Sequence, residues 1–241
     1  MESEIFAQHI SRKFNEDLEN LRTQVSNMGG LVERQLAQAV EAIVSGDSEL
    51  GLDVARRDVE VNQFEVAIDE ESSRILATRA PAAADLRLIV AVIKAITDLE
   101  RIGDEAQRIG MLAARLATEA KPRDRHDELK SLGEHVQEMV HDALDAFGRL
   151  DPADALAVVE EDKYVDQEYE AIYRQCITQM MEDPRTIRRF MDVSWAARAL
   201  ERIGDHAKNI SEYVIYLVQG KDIRHTEIED VRIHVERGER G

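Results

Sequence analysis

Apolar residues recur every three or four positions through most of this chain, which is the spacing of an amphipathic helix. The first such stripe runs through about residues 4–44, mostly in heptads, before Ser45, Gly46 and Asp47 interrupt it. Its apolar members are Ile10, Phe14, Leu18, Leu21, Val25, Met28, Val32, Ala39 and Ile43. This segment is therefore predicted to be one long helix.

Proline, glycine and aspartate mark the remaining breaks. Pro81 disfavours helix in the residue before it, and Asp151-Pro152 and Asp183-Pro184 each pair an N-cap residue with a proline suited to the first helical position. Gly220 ends the last periodic segment. Further helices are predicted over about 48–77, 82–119, 127–148, 152–182 and 185–218, with a linker at 121–125.

The pentapeptide Glu-Arg-Ile-Gly-Asp occurs twice, at 100–104 and 201–205. Upstream, Asp47 matches Asp151 and further pairs match at the same spacing, so the second half lacks three residues before its pentapeptide. The predicted fold is all-α, a tandem duplication of an antiparallel three-helix bundle that gives an elongated protein. The expected divisions are a first bundle at 1–121, a second at 122–220 and a polar C-terminal tail at 221–241.

A helical wheel around Leu99 predicts which side of the third helix is buried. Apolar and small residues cluster on one side, and Glu100 and Asp104 lie at its edge, where they can meet a neighbouring helix. The opposite side is expected to face water and carries Lys94, Arg101, Glu105 and Arg108. Glu201 and Asp205 repeat the edge positions, and His206 points away from them.

Composition narrows the function. The net charge of −18 excludes a nucleic-acid binder and direct attraction to an anionic membrane, so membrane contact is expected only through protein partners. Cys176 is the single cysteine, which excludes an internal disulfide and favours a small buried hydrophobe. With no apolar run long enough for a membrane span and no signal sequence, a cytoplasmic location is expected.

Each half carries two carboxylates one helical turn apart, and such a pair needs a compensating positive charge. An arginine, a proton or a metal ion could supply it. The second helices offer Asp58 with Asn62 and Asp162 with Asp166 at matching spacing, so four oxygen-bearing side chains could converge in each half. Such donors suit iron, manganese, magnesium or calcium, with zinc as a borderline case. A salt bridge with Arg101 or Arg202 is an equal alternative on these residues alone.

Other candidate chemistry is weaker. Glu138-x-x-His141 has the spacing of one half of a di-iron motif, but its second copy is absent. The remaining histidines are expected to be scattered and exposed: His9, His126, His135, His225 and His234. Trp195 and the pair Met180-Met181 are expected in the core. No phosphate-binding loop or catalytic triad order is present, so an enzyme is not predicted.

The duplicated unit, with Asp-x-x-Val-Asn/Asp in one helix and Leu-Glu-Arg-Ile-Gly-Asp in the next, resembles the PhoU family over nearly the whole chain. The resemblance implies two three-helix bundles, often dimeric, with multinuclear clusters of divalent or trivalent ions. Iron or zinc is implied first, with manganese, magnesium or nickel as alternatives. The implied metal residues are Asp58, Asn62, Glu100, Asp104, Asp162, Asp166, Glu201 and Asp205. Because Asn62 replaces an acid, the first site is expected to hold fewer or weaker metals.

The same resemblance implies a negative regulator of the phosphate-starvation response. Such a protein would couple the ATPase subunit of a phosphate ABC transporter to a membrane sensor histidine kinase and modulate phosphate uptake. It would act in the cytoplasm, peripherally associated with inner-membrane complexes. Two alternatives stay open: a metal-dependent enzyme that uses the carboxylate cluster, and a metal-free structural bundle.

Overall fold

The computed structural model describes residues 2–79, 81, 83–119, 127–220, 223, 226, 230–233 and 235. Its helices are α1 (Glu2–Ser45), α2 (Ser48–Thr78), α3 (Ala83–Glu119), α4 (Asp127–Arg149), α5 (Pro152–Glu182) and α6 (Ile187–Gln219), with a 3₁₀ turn over Pro184–Thr186. The all-α prediction is confirmed. The expected linker at 121–125 and the domain boundary within it lie outside the described residues, as do His126, His225, His234 and the side chain of His9.

Local chemistry explains where the helices begin and end. The carboxylate of Asp47 accepts a hydrogen bond from the backbone N–H of Leu50 at 3.0 Å, and Asp151 caps α5 in the same way. These bonds satisfy N–H groups that have no partner within the helix. Gly220 ends α6 with a φ of 71°, a left-handed conformation that glycine adopts without strain.

Each half of the chain forms a three-helix bundle. Helices α1, α2 and α3 pack against one another, and α4, α5 and α6 do the same. Four residues separate α2 from α3, whereas Asp183 alone separates α5 from the 3₁₀ turn, which accounts for the three residues that the second repeat lacks. The duplicated three-helix architecture is therefore confirmed.

The two bundles pack against each other along the lengths of α3 and α6, and α1 also contacts α4. Asp98 on α3 is central to this contact, because its carboxylate accepts hydrogen bonds from three groups of α6. These are His206 Nδ1 at 2.7 Å, Asn209 Nδ2 at 3.0 Å and the Tyr213 hydroxyl at 2.8 Å. One continuous cluster of buried apolar side chains spans both bundles, so the repeats are stabilised jointly.

This contact overturns one expectation about α3. Glu105 was expected to face water, but it is buried between Arg202 of α6 at 2.5 Å and Arg108 at 2.8 Å. The wheel describes a single bundle, and the second bundle covers part of the face opposite its core. None of the other charged residues expected on that face is buried. Glu105 with Arg202 is thus one ion pair between the bundles, and Arg115 with Asp192 forms another.

Helices α2 and α3 approach closely at two glycines. A Cβ atom on Gly110 would lie 2.5 Å from the carbonyl oxygen of Gly51, and one on Gly51 would lie 2.4 Å from the carbonyl oxygen of Gly110. Distances this short are repulsive, and backbone atoms cannot move aside as a flexible side chain can. Both residues have ordinary helical backbones, so it is the close packing of the two helices, and not backbone conformation, that requires glycine here.

The burial of single side chains agrees with one sequence prediction and contradicts two. Cys176 is buried, as predicted. Trp195 and Met181 are exposed, so the prediction that they belong to the core was wrong. In the tail, Ile223, Val231 and Val235 are buried in the common core. Among the helices described here, none is long and apolar enough to cross a membrane.

Candidate carboxylate metal sites

The first candidate site lies between α2 and α3. Asp58 is buried, and its carboxylate accepts hydrogen bonds from the amides of Gln35 at 3.1 Å, Asn62 at 3.3 Å and Gln107 at 3.4 Å. Gly103 of the pentapeptide leaves room for this arrangement, because a Cβ there would lie 3.1 Å from Asp58 Oδ1. The pentapeptide glycine thus lets a carboxylate of α2 approach α3.

Glu100 and Asp104 lie beside Asp58 and interact with it electrostatically. Burial raises the pKa of Asp58 above its ordinary value, and the charge of Asp104 raises it further despite the hydrogen bond from Gln35. Burial also raises the pKa of Glu100, followed by repulsion from Asp104 and Glu65. The structure therefore brings the predicted acids of the first bundle together and adds Glu65 to them.

The second candidate site lies between α5 and α6 and contains the predicted acids of the second bundle. Asp162 and Glu201 are buried, whereas Asp166 and Asp205 reach the surface. Two cations already contact the buried pair. Lys208 Nζ donates to Asp162 Oδ2 at 2.6 Å, and Arg198 Nη1 donates to Glu201 Oε1 at 2.5 Å.

Glu201 has the most perturbed carboxylate of this cluster. Burial, followed by repulsion from Asp205, raises its pKa to about 7 although Arg198 opposes the shift. Partial burial also raises the pKa of Asp205, followed by the charges of Asp162 and Asp166. Glu201 therefore holds a proton over much of the range below neutral pH.

Buried oxygen atoms without hydrogen-bond partners occur at both sites. They are Asn62 Oδ1 and Gln35 Oε1 in the first bundle and Glu201 Oε2 in the second. An unpartnered buried acceptor is unfavourable, and a proton, a water molecule or a cation would satisfy it. These atoms and the clustered carboxylates fit the oxygen donors that hard cations prefer.

The donors fit a metal by chemistry, but their positions are not those of a formed coordination shell. In the described part of the chain, no group of three histidine, cysteine, aspartate or glutamate side chains is placed to hold one ion. Lys208 and Arg198 also contact the oxygens that an ion would need. Metal binding would therefore require these two cationic side chains to move, and the metal role of the eight predicted residues stays a prediction.

Sequence reasoning missed several side chains around the two clusters. Gln35 and Gln107 come from α1 and α3, and neither spacing nor charge marked them. Lys208 carried a usable signal, since it lies on α6 one turn beyond Gly204, on the side that faces α5. As expected, His206 is not a partner of Glu201, because its ring bonds to Asp98, although its charge acts to lower the pKa of Asp205.

His135 was expected to be exposed, and this was wrong. It is partly buried between two glutamates of α5, with Nε2 2.9 Å from Glu161 Oε1 and Nδ1 2.9 Å from Glu168 Oε1. His141 of the Glu138-x-x-His141 motif instead contacts Glu33 of α1 at 2.8 Å, so the motif does not form a site on its own.

Comparison with known proteins adds to this geometry. The family model described as "PhoU domain" matches residues 25–113 and 129–214. The chain is 50% identical over 233 residues, 96% of each chain, to a protein of Pseudomonas aeruginosa named "Phosphate-specific transport system accessory protein PhoU homolog". A protein of Pseudomonas putida with the same name is 51% identical over 222 residues, which are 92% of this chain and 87% of that protein.

A solved structure agrees with these matches. The crystal structure of PhoU from Pseudomonas aeruginosa has a TM-score of 0.84 and 50% sequence identity, and it covers 86% of this chain and 100% of its own. The family model recurs in both bundles and includes the two pentapeptides. The chain therefore belongs to the PhoU family.

Proposed function

We propose that this protein is an accessory regulator of phosphate transport, which keeps the phosphate-starvation response off when phosphate is plentiful. The observation that carries this is the 50% identity, over 96% of both chains, to a protein named as an accessory of the phosphate-specific transport system. Relatives at this level are named as accessory proteins and not as enzymes, which favours an adaptor over a catalyst.

The adaptor would link two protein partners at the cytoplasmic face of the inner membrane. One is the ATPase subunit of the phosphate ABC transporter, and the other is a sensor histidine kinase. The adaptor would work as a homodimer and meet the membrane only through these partners. Its net charge of −18 supports docking to basic protein surfaces and opposes contact with anionic lipid.

Deleting the gene and measuring alkaline phosphatase activity in cells grown with ample phosphate tests the regulatory role. Activity should be high in the deletion strain and fall again when the full chain is restored from a plasmid. Low activity in the deletion strain would contradict the proposal, because the starvation response would then have kept its repression without this protein.

The two carboxylate clusters are proposed as metal sites. Asp58, Glu100 and Asp104, with Asn62, would hold ions in the first bundle. In the second bundle Asp162, Asp166, Glu201 and Asp205 would do so. A bound divalent or trivalent ion, iron or zinc first, would supply positive charge to the crowded carboxylates. The protein buries Glu201 and Asp162 away from water. Both carboxylates would have to break their contacts with Arg198 and Lys208 when an ion binds.

Elemental analysis of two double variants tests the metal sites. Glu201→Gln with Asp205→Asn should release more metal than Glu100→Gln with Asp104→Asn, because Asn62 leaves the first site one charge weaker. Glu134→Gln on the exposed side of α4 is the matched control and should release none. Equal metal losses from the two double variants would contradict this asymmetry. If the unchanged protein carried no metal, or if neither double variant lost any, the clusters would not be metal sites and Arg198 and Lys208 would be their compensating charges.

A further inference from the structure

Helix α6 presents an exposed apolar stripe in its first three turns. Ile187, Met191 and Trp195 recur every four residues and are 46%, 36% and 47% exposed. Four-residue spacing places them on one side of the helix. Arg198 and Arg202 continue the same side toward the second carboxylate cluster. These five residues are called the α6 stripe.

The surroundings of the α6 stripe are basic in an otherwise acidic protein. Residues 183–202, which include the whole stripe and the acids at its two ends, contain five arginines and three acids, a net charge of +2 in a chain of −18. Arg115 from α3 adds a further cation beside the stripe, because its guanidinium lies 5.7 Å from the centre of the Trp195 ring. The stripe therefore combines an apolar centre with a basic border.

The aromatic residue of the stripe is held in place by its neighbours. Arg115 Nε donates to Asp192 Oδ2 at 3.2 Å, and Asp192 is buried in α6. A guanidinium fixed in this way orients the indole through cation–π attraction. An anchor that is already ordered loses less conformational entropy on binding, which favours affinity.

We propose that the α6 stripe docks an acidic amphipathic helix of a partner protein. The partner's apolar side chains would pack on Ile187, Met191 and Trp195, and its carboxylates would meet the surrounding arginines. Tryptophan, methionine and arginine are enriched at the centres of protein interfaces, and truncating such anchors causes the largest losses of affinity. The proposal deepens the adaptor function and rests on it, since an adaptor must bind a partner.

Charge decides between a protein helix and a lipid surface as the occupant. A membrane is a wide anionic plane, which would bring its charge close to the acidic faces of the whole protein and repel them. A single helix has a footprint confined to the basic region around the stripe. From Ile187 to Arg202 the stripe is about 22 Å long, which a partner helix of about 15 residues would cover.

The single tryptophan makes the docking measurable, because its fluorescence reports on the stripe alone. The probe is a synthetic helical peptide of about 15 residues, with leucine on one face and glutamate on its flanks. It should shift Trp195 emission to shorter wavelength in a saturable titration that weakens with salt. The same peptide with lysine for glutamate should cause no shift.

Variants locate the binding. Ile187→Ser with Met191→Ser should weaken binding of the labelled acidic peptide about tenfold or more, measured by anisotropy. Val59→Ser with Val66→Ser is the matched control, because these exposed apolar residues of α2 are remote in the chain and should leave binding unchanged. The proposal would be overturned if the acidic peptide did not bind, or if the lysine peptide bound equally well. It would also be overturned if the stripe variant bound the acidic peptide as tightly as the unchanged protein. A shift with anionic vesicles but not with the acidic peptide would also overturn it.

The stripe and the adaptor function can fail separately. If deleting the gene raises alkaline phosphatase activity but the stripe variant still represses it fully and binds the peptide normally, the adaptor function stands and the stripe is refuted. If alkaline phosphatase activity stays low in the deletion strain, the adaptor function is refuted, whatever the peptide titration shows.

Discussion

Replacing Glu201 with glutamine should make stability less dependent on pH. In the folded protein the pKa of Glu201 is raised to about 7, mainly by burial and then by Asp205. A raised pKa means that the fold favours the protonated acid. That favourable contribution is fully present below the ordinary pKa of 4.5 and is lost as the pH rises through about 7.

The size of the effect follows from the two pKa values. The gap between 4.5 and about 7, at 1.36 kcal/mol per pH unit, corresponds to roughly 3 kcal/mol. Glutamine resembles the protonated acid and carries no charge at any pH. The free energy of unfolding of Glu201→Gln should therefore match that of the unchanged protein below pH 4.5. At pH 8 it should be higher by about 2–3 kcal/mol.

Urea unfolding followed by circular dichroism at pH 4 and pH 8, with a chelator present, measures this difference. Glu134→Gln is the control, because that side chain is largely exposed on α4 and should change stability little at either pH. A variant that is less stable at pH 8, or equally affected at both pH values, would refute the reasoning. Either result would mean that Glu201 is held as an anion by Arg198.

Three further predictions concern packing and reactivity. Gly110→Ala should lower the free energy of unfolding by about 2 kcal/mol or more, since its Cβ would overlap the backbone of α2. A Cβ atom on Gly148 would have no neighbour within 4 Å, so Gly148→Ala should be neutral or stabilising. Equal urea midpoints for the Gly110 and Gly148 variants would contradict this reasoning. Asp98→Ala should lower the free energy of unfolding by about 2–4 kcal/mol, because three donors of α6 lose their acceptor. A loss below about 1 kcal/mol would show that these hydrogen bonds do not hold the bundles together. Cys176 should react with a disulfide reagent at pH 8 about 100-fold more slowly in the folded than in the urea-unfolded chain, since burial raises its pKa to about 11; similar rates would contradict its burial.

Local sequence signals predicted the helices well. The caps at Asp47 and Asp151 and the stop at Gly220 act within a few residues of their own position, so no knowledge of the fold is needed to place them. The repeated pentapeptide likewise predicted two equivalent bundles. The edge positions of Glu100 and Asp104 followed from helical geometry alone, and the structure places both beside Asp58.

The two clearest errors have different structural causes. Glu105 lies on the polar side of its helix, yet it is buried because α6 packs there and supplies Arg202. Trp195 is apolar, yet it is exposed because the small residues Ala196 and Ala197 face the core in its place. A wheel reports which side of a helix is apolar and contains no information on which other helix will cover the remaining sides.

The sequence by itself determined the helices, their ends, the duplication and the carboxylate pairs, because each depends on periodicity or on contacts within one turn. Only the tertiary structure decided how the bundles share a core, which cations meet Asp162 and Glu201, and how far burial raises the pKa of Glu201. These properties depend on side chains that are distant in the chain and on the loss of water around them, and both are fixed only when the helices pack.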